Sequence, residues 1–222
     1  MEKYLYLTPD EYEAMVCISG QTPVTCFSKM KYLEIEDRRN RLLTLYNKGF
    51  VVNTGEAFVI NAEWKDAFAC IHSAKSALHI TTGNPEVPDL LVYVGKSCVL
   101  LENISTKTES NYRLSLWEPA HLAQMLADCD QFPKIRVEQS EADILRKSDD
   151  PYISEDETEI VECSIKKYLN GSEDALYSAR FLKKELLWYV MKNSGDAKSM
   201  ELADSGTVTG ILQQLLDIRL PL

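Results

Sequence analysis

The clearest candidate for chemistry in the sequence is Gly95-Lys96-Ser97, which resembles the end of a phosphate-binding loop. That loop needs a further glycine five residues before the second one, and this chain has Leu90 there. It also needs a helix to follow, because the phosphate binds at the helix N-terminus. The residues from Cys98 to Leu101 are typical of a strand instead. We therefore interpret the stretch as a tight turn and predict no nucleotide site.

The remaining reactive residue types also lack the spacing of a site. His72, His79 and His121 have no His or Cys partner at metal-ligand spacing, and no Gly-x-Ser-x-Gly elbow occurs. The six cysteines form no Cys-x-x-Cys pair, which is typical of free thiols in a reducing cytoplasm. The acidic stretch SDDPYISEDETE lacks the central glycine of an EF-hand. We predict a non-enzymatic protein with no catalytic residue, no metal and no cofactor.

The composition indicates an acidic globular protein. Among 222 residues 45% are hydrophobic, and the formal net charge is −10. No apolar run approaches the roughly 20 residues that span a bilayer, and the first residues do not form a signal peptide. We therefore predict a cytoplasmic protein without membrane insertion. The negative charge opposes nucleic acid and anionic lipid as partners and suits a neutral or basic protein partner.

The first 74 residues predict two helices, a hairpin and a third helix. Thr8-Pro9-Asp10-Glu11 begins a helix with a capping box, and EIEDRRNRLLTLYNKGFVV predicts a helix that ends at Gly49. Strands at Phe50 to Val52 and Ala57 to Ile60 surround a turn sequence that contains Gly55. Helical spacing then continues from Asn61 through Ala74. The helix–hairpin–helix order predicts a winged-helix-like segment.

A winged helix can bind DNA, and the candidate reading residues here are Arg38, Arg39, Asn40 and Arg41. Acidic residues precede them, and the predicted hairpin carries Glu56 and no basic residue. That charge balance favours a structural or protein-binding module. A winged-helix transcription regulator with a C-terminal sensor or dimerisation lobe remains the alternative.

The rest of the chain predicts a sheet with a repeated order of elements. Leu-Leu-x-Tyr-Val occurs at 90–94 and at 186–190, and each copy precedes a turn, a strand and a helix. We predict an α+β fold: a central antiparallel sheet with helical bundles and a pseudo-two-fold repeat of two strand-turn-strand-helix halves. The halves are residues 1–138 and 139–222, within one compact domain.

The second half is predicted to begin with an acidic linker and two helices. Ser154 and Glu157 resemble the capping box of a helix EIVECSIKKYLNG. A second helix follows from the spacing of Leu176, Ala179 and Leu182.

Binding residues are predicted from the alternation of side chains along strands. If helices cover one face of the sheet, the other face presents aromatic and apolar residues, which are enriched in protein interfaces. The candidates for partner binding are Tyr93, Tyr112, Leu114, Trp188 and Tyr189.

The opening Leu7 to Glu11, the helix-and-hairpin unit and the order of elements around LLVYVGKSCVLLENIS and LLWYVMKNSGDAKSMELAD resemble the EspG-like proteins of type VII (ESX) secretion. They also resemble uncharacterised proteins of type VII secretion loci in Gram-positive bacteria. The resemblance implies a quasi-two-fold sheet with helical bundles. It further implies a cytosolic, non-enzymatic chaperone or adaptor that binds an exposed helical tip of a secreted substrate. It transfers no binding residue by a motif match.

Overall fold

The computed structural model describes residues 3–20, 35–104, 111–136, 161–169, 172, 174–184, 187–195 and 197–217, which adopt an α+β fold. The helices in these ranges are α1 Pro9–Ile18, α2 Ile35–Asn47, α3 Lys65–Ser73, α4 Pro119–Ala127 and α5 Thr207–Leu215. The strands are β1 Tyr4–Leu7, β2 Val51–Asn53, β3 Phe58–Ile60, β4 Ser76–Thr82, β5 Leu90–Val94, β6 Cys98–Asn103, β7 Tyr112–Trp117, β8 Val161–Leu169, β9 Ala175–Lys184, β10 Leu187–Ser194 and β11 Ala197–Leu202. None of the helices in the described ranges is long and apolar enough to cross a bilayer.

The chain forms two compact units, and each is built from three separate stretches of the sequence. Residues 1–77, 90–118 and 169–172 make the first unit, and residues 78–89, 119–168 and 173–222 make the second. The predicted division into residues 1–138 and 139–222 stays a prediction.

The first unit is organised around four antiparallel strands in the order β1-β7-β6-β5. Their register aligns one leucine from each strand in a row of buried side chains: Leu5, Leu114, Leu101 and Leu91. Residues of α1 and α3 pack into the same core. Strand β1 is not predicted by its sequence, because four residues are too few to show an alternating pattern by themselves.

The start of α1 confirms the predicted capping box. Thr8 Oγ1 accepts a hydrogen bond from the Glu11 backbone N–H, and Glu11 Oε2 accepts one from the Thr8 backbone N–H. The other carboxylate oxygen, Oε1, lies 2.6 Å from the ammonium of Lys48, just after α2. Because the Glu11 side chain is buried, this ion pair satisfies a charge that would otherwise be costly to remove from water.

The helix–hairpin–helix order of α2, β2, β3 and α3 confirms the predicted segment. Gly49 ends α2 with a φ of 73°, and Gly55 turns the hairpin with a φ of 91°. Both angles lie in the left-handed region, which glycine enters without a steric penalty. Strands β2 and β3 pair only with each other among the described strands.

The second unit contains strands β4-β8-β9-β10-β11, with antiparallel pairing from β8 to β11. Helices α4 and α5 pack against each other, and each buries an apolar stripe towards the unit's core. Phe132, which follows α4, meets Phe181 of β9 edge to face at 6.1 Å between ring centroids. One side of this sheet is therefore covered by the unit's helical layer.

Two predicted helices are wrong, since residues 161–169 and 175–184 form the paired strands β8 and β9. The helical spacing of Leu176, Ala179 and Leu182 coincides with an alternation in which Ala179 and Phe181 point to the core. The Asn170-Gly171 dipeptide between the strands is also a hairpin signal, although we interpreted it as a helix end. Pairing with the neighbouring strands β8 and β10 stabilises the strand conformation of β9 and outweighs its local helix propensity. The predicted acidic linker at 139–160 lies outside the described residues.

The two Leu-Leu-x-Tyr-Val stretches do not occupy equivalent strands. Four strands precede each of α4 and α5 in the chain, so the order of elements does recur. Counted back from those helices, Leu90–Val94 is the third strand and Leu187–Ser194 is the second. The predicted match between the two stretches is therefore displaced by one strand. The two stretches resemble each other because any buried strand favours leucine, valine and tyrosine. The pseudo-two-fold relation itself stays a prediction.

Three tyrosines join α1 to the first unit's strands and generate a test of its core. The hydroxyls of Tyr12 and Tyr93 lie 2.6 Å apart, and the Tyr12 ring meets Tyr112 edge to face at 5.7 Å. We expect Tyr12→Phe and Tyr93→Phe each to cost about 1–3 kcal/mol, because each leaves a buried hydroxyl without this partner. The double variant should cost less than the sum of the two. Urea unfolding measures all three, and strict additivity would refute the coupling.

Candidate protein-binding site

The side of the second unit's sheet that faces away from the Phe181 core carries apolar and basic side chains, and we name it the Tyr189 face. Its described members are the alternate residues of four strands: Ser164, Lys166, Leu176, Ser178, Arg180, Leu182, Leu187, Tyr189, Met191, Asn193, Lys198, Met200 and Leu202. Directly paired residues of antiparallel strands share a side, so the register assigns each of them to this face.

The burial of the opposite side determines the orientation of the face. Phe181 of β9 and Val190 of β10 are paired and fully buried. The ammonium of Lys167 on β8 donates a hydrogen bond to the carbonyl of Leu215, at the end of α5, where the helix dipole favours a positive charge. Because α5 and Phe132 close that side, Leu182 and Tyr189 must point the other way.

Most of the apolar part of the face is partly accessible to solvent. Leu182, Leu187, Tyr189, Met191 and Met200 are each half-buried, whereas Leu202 on the same face is buried. Methionine adapts its shape to a partner, and tyrosine is enriched in protein interfaces. The arrangement can bind an apolar surface by removing it from water.

The charged part of the face is basic. Lys166, Arg180 and Lys198 are exposed, and no acidic residue is found among its described members. This contrasts with the chain as a whole, whose formal net charge is −10. The basic character is a local property of this side of the sheet.

The five residues predicted for partner binding lie in three different settings. Tyr93, Tyr112 and Leu114 are buried in the core of the first unit. Trp188 is 9% exposed, on the helix-covered side of β10, with the ammonium of Lys183 at 5.5 Å from its ring centroid. Tyr189 alone of the five lies on the Tyr189 face. Their binding role stays a prediction, and it is Tyr189 that has neighbours suited to it.

Sequence reasoning missed most of the Tyr189 face. Met191 and Met200 lie in β10 and β11. Arg180 and Leu182 lie in β9, which we had predicted to be a helix. The signal that identifies them is the alternation of Tyr177, Ala179 and Phe181 in β9. Leu176, Ala179 and Leu182 also have the spacing of a helix face, and this spacing led to the wrong prediction.

The residues predicted for DNA binding lie on α2. Arg39 and Asn40 are exposed, and the side chain of Arg38 lies outside the described part of the chain. Arg41 forms an ion pair with Asp10 of α1, with Nη2 3.0 Å from Oδ2. This pair joins α2 to α1, so the guanidinium of Arg41 is already engaged by a carboxylate of the same chain.

Gly95-Lys96-Ser97 connects β5 to β6 as a turn, which confirms the predicted turn and the predicted strand after it. The Gly95 backbone N–H donates to the Ser97 carbonyl, and Cys70 Sγ donates to the same oxygen at 3.0 Å. Burial raises the pKa of Cys70 to about 11, so this thiol stays protonated near neutral pH. Protonated thiols are poor nucleophiles.

Among the histidines, His72 and His121 are exposed, and His79 is partly buried on β4. Across the described residues no group of three or more His, Cys, Asp or Glu side chains is placed to hold a metal ion.

Comparison with known proteins gives a structural likeness. No protein-family model matches the chain, and no curated protein matches it in sequence. Its fold is similar to that of the type VII secretion system chaperone EspG5 of Mycobacterium tuberculosis, in a structure of EspG5 with the PE25–PPE41 dimer. The TM-score is 0.58 at 9% identity, over 99% of this chain and 97% of the other. The likeness shows a shared EspG-like fold.

The environment of His79 predicts a pH dependence of stability. Burial lowers the pKa of His79 below 6.5, although the nearby Asp89 carboxylate opposes the shift. As the pH falls, the unfolded chain therefore binds a proton before the folded chain does, and the contribution to stability present above pH 6.5 is lost on acidification. We expect His79→Gln to flatten the change in unfolding free energy between pH 7.5 and 5.5. Urea titrations compare it with His72→Gln, and an equal flattening in that control would contradict the assignment.

Proposed function

We propose that this protein is a non-enzymatic binding protein, a chaperone or adaptor that holds a helical type VII secretion substrate in the bacterial cytoplasm. The observation that carries the proposal is the EspG-like fold, which extends over 99% of the chain. The neighbour with that fold is a secretion chaperone in complex with a protein dimer. The sequence resemblance of the Leu7 to Glu11 opening supports the same function.

The Tyr189 face is the binding surface in this proposal. An exposed sheet face offers side chains and no free backbone groups, so it suits a partner whose backbone is already satisfied internally. A helix meets that requirement, because its hydrogen bonds are intrahelical. Its apolar stripe would be buried against Leu182, Tyr189 and Met191, as in other helix-in-groove complexes.

A binding role also fits the chemistry of the described residues. Gly95-Lys96-Ser97, which resembles the end of a phosphate-binding loop, forms a turn. The raised pKa of Cys70 keeps its thiol protonated near neutral pH. Binding needs only complementary surface, which the half-buried side chains around Tyr189 supply. These observations support a non-enzymatic function.

The proposal predicts that Tyr189→Ser weakens substrate capture. The small helical proteins exported by a type VII system are co-expressed with this chain, and the amount that co-purifies is measured. We expect at least about a tenfold loss of affinity, the scale of an interface hot spot. The matched control is Tyr6→Ser, since Tyr6 is another strand tyrosine and is 55% exposed. Equal capture by both variants would argue against the Tyr189 face, and no capture by the unaltered chain would argue against the function.

The winged-helix-like segment supports a second candidate, a DNA-binding transcription regulator. The specific observation is the helix–hairpin–helix order, with Arg39 and Asn40 exposed on α2. The exposed hairpin residue Glu56 and the Arg41–Asp10 pair weigh against phosphate contacts.

A direct test separates this candidate from the chaperone. The regulator predicts duplex DNA binding that weakens steeply with salt and is abolished by Arg39→Ala with Arg41→Ala. Fluorescence anisotropy with a labelled duplex measures it. We expect no binding above that of an equally acidic control protein. Salt-dependent binding lost in the double variant would establish the regulator instead.

A further inference from the structure

We propose that the Tyr189 face selects an acidic amphipathic helix that lies across its strands. This rests on the proposed function and specifies the chemistry of the partner. The inference comes from how the face is divided between apolar and basic rows.

The strand register divides the face into rows that run across the strands. One row contains Leu182 and Tyr189, and the next contains Arg180, Met191 and Met200. A third row runs through Lys166, Ser178, Asn193 and Lys198, with a lysine at each end. The face is thus apolar at the Leu182–Tyr189 row and becomes polar and basic at the Lys166–Lys198 row.

The dimensions of these rows match those of a helix. Strands lie about 4.8 Å apart, so a row across four strands is roughly 14 Å long, which is the length of about ten helical residues. Neighbouring rows are two residues apart along each strand, or about 6.7 Å, within the roughly 10 Å diameter of a helix. A helix along the rows would therefore contact the Tyr189 row with one side and flank the Lys166–Lys198 row with the next.

Charge determines which helix fits. A helix in this position places its flanking side chains beside Arg180 and Lys166, and the described members of the face include no carboxylate. Acidic flanking residues would form complementary pairs, whereas basic ones would repel. The chain's overall charge of −10 opposes an acidic partner only at long range, and physiological salt screens charges beyond about 8 Å. The local basic side chains therefore outweigh the overall charge at contact.

Two synthetic amphipathic helical peptides with identical apolar positions test this inference. One carries glutamate at the flanking positions and the other carries lysine. We expect the unaltered full chain to bind the glutamate peptide at least about tenfold more tightly at 50 mM salt, with a smaller ratio at 500 mM. Fluorescence anisotropy of the labelled peptides gives both affinities. Equal affinities, or a preference for the lysine peptide, would overturn the inference.

A charge reversal on the face provides the second arm. Arg180→Glu should weaken the glutamate peptide and strengthen the lysine peptide. The matched control is Lys183→Glu, on the same strand but on the opposite side of the sheet, and it should leave both affinities unchanged. Thermal melting of each variant confirms folding. If both reversals have the same effect, the selection does not reside on the Tyr189 face.

The outcomes distinguish this inference from the proposed function. If the glutamate peptide binds with the expected preference but no secretion substrate co-purifies, the acidic-helix chemistry stands and the chaperone function fails. If a substrate co-purifies through Tyr189 while the peptides bind equally, the chaperone function stands and the charge selection fails.

Discussion

The alternation of side chains along β9 and β10 is the constraint on which the proposed binding surface depends. Phe181 and Val190 are paired and fully buried on the helix-covered side. Their neighbours Leu182 and Tyr189 must then point away from the helices, because successive side chains of a strand leave opposite sides of the sheet. A shift of one residue in the pairing would exchange the two sets. The burial of the core thus determines which residues remain for a partner.

The first unit shows how the same alternation is used for stability alone. Its row of four leucines meets α1 and α3, and the buried tyrosines add a polar contact within that core. Glu11 connects the start of α1 to Lys48 beyond α2, so the opening that resembles the EspG-like proteins serves here to hold two helices together. We see a structural reason for those residues that requires no contact with a substrate.

The local charge of the Tyr189 face is opposite in sign to the overall charge of the chain. A net charge of −10 opposes non-specific attraction to nucleic acid and anionic lipid, while Lys166, Arg180 and Lys198 make one sheet face basic. In the proposed complex, specificity would follow from that local pattern, because short-range pairing and desolvation decide which surface is accepted. An EspG-like fold with such a face is suited to holding one class of protein and excluding others.

Local features were predictable from sequence because they depend on residues close together in the chain. The Thr8–Glu11 capping box, the turn at Gly95-Lys96-Ser97 and the left-handed glycines at positions 49 and 55 are satisfied within a few residues. The absence of a complete phosphate loop was evident for the same reason. Most strands and helices, and the α+β class, followed from periodicity.

The tertiary structure decided what depends on contacts between different elements. Residues 161–169 and 175–184 fit a helix or a strand by spacing, and pairing made them strands. The burial of Tyr93 and the accessibility of Tyr189 likewise could not be separated, because the same Leu-Leu-x-Tyr-Val pattern surrounds both. Which side of a strand faces solvent is determined by the helices that cover the other side, and those lie tens of residues away in sequence.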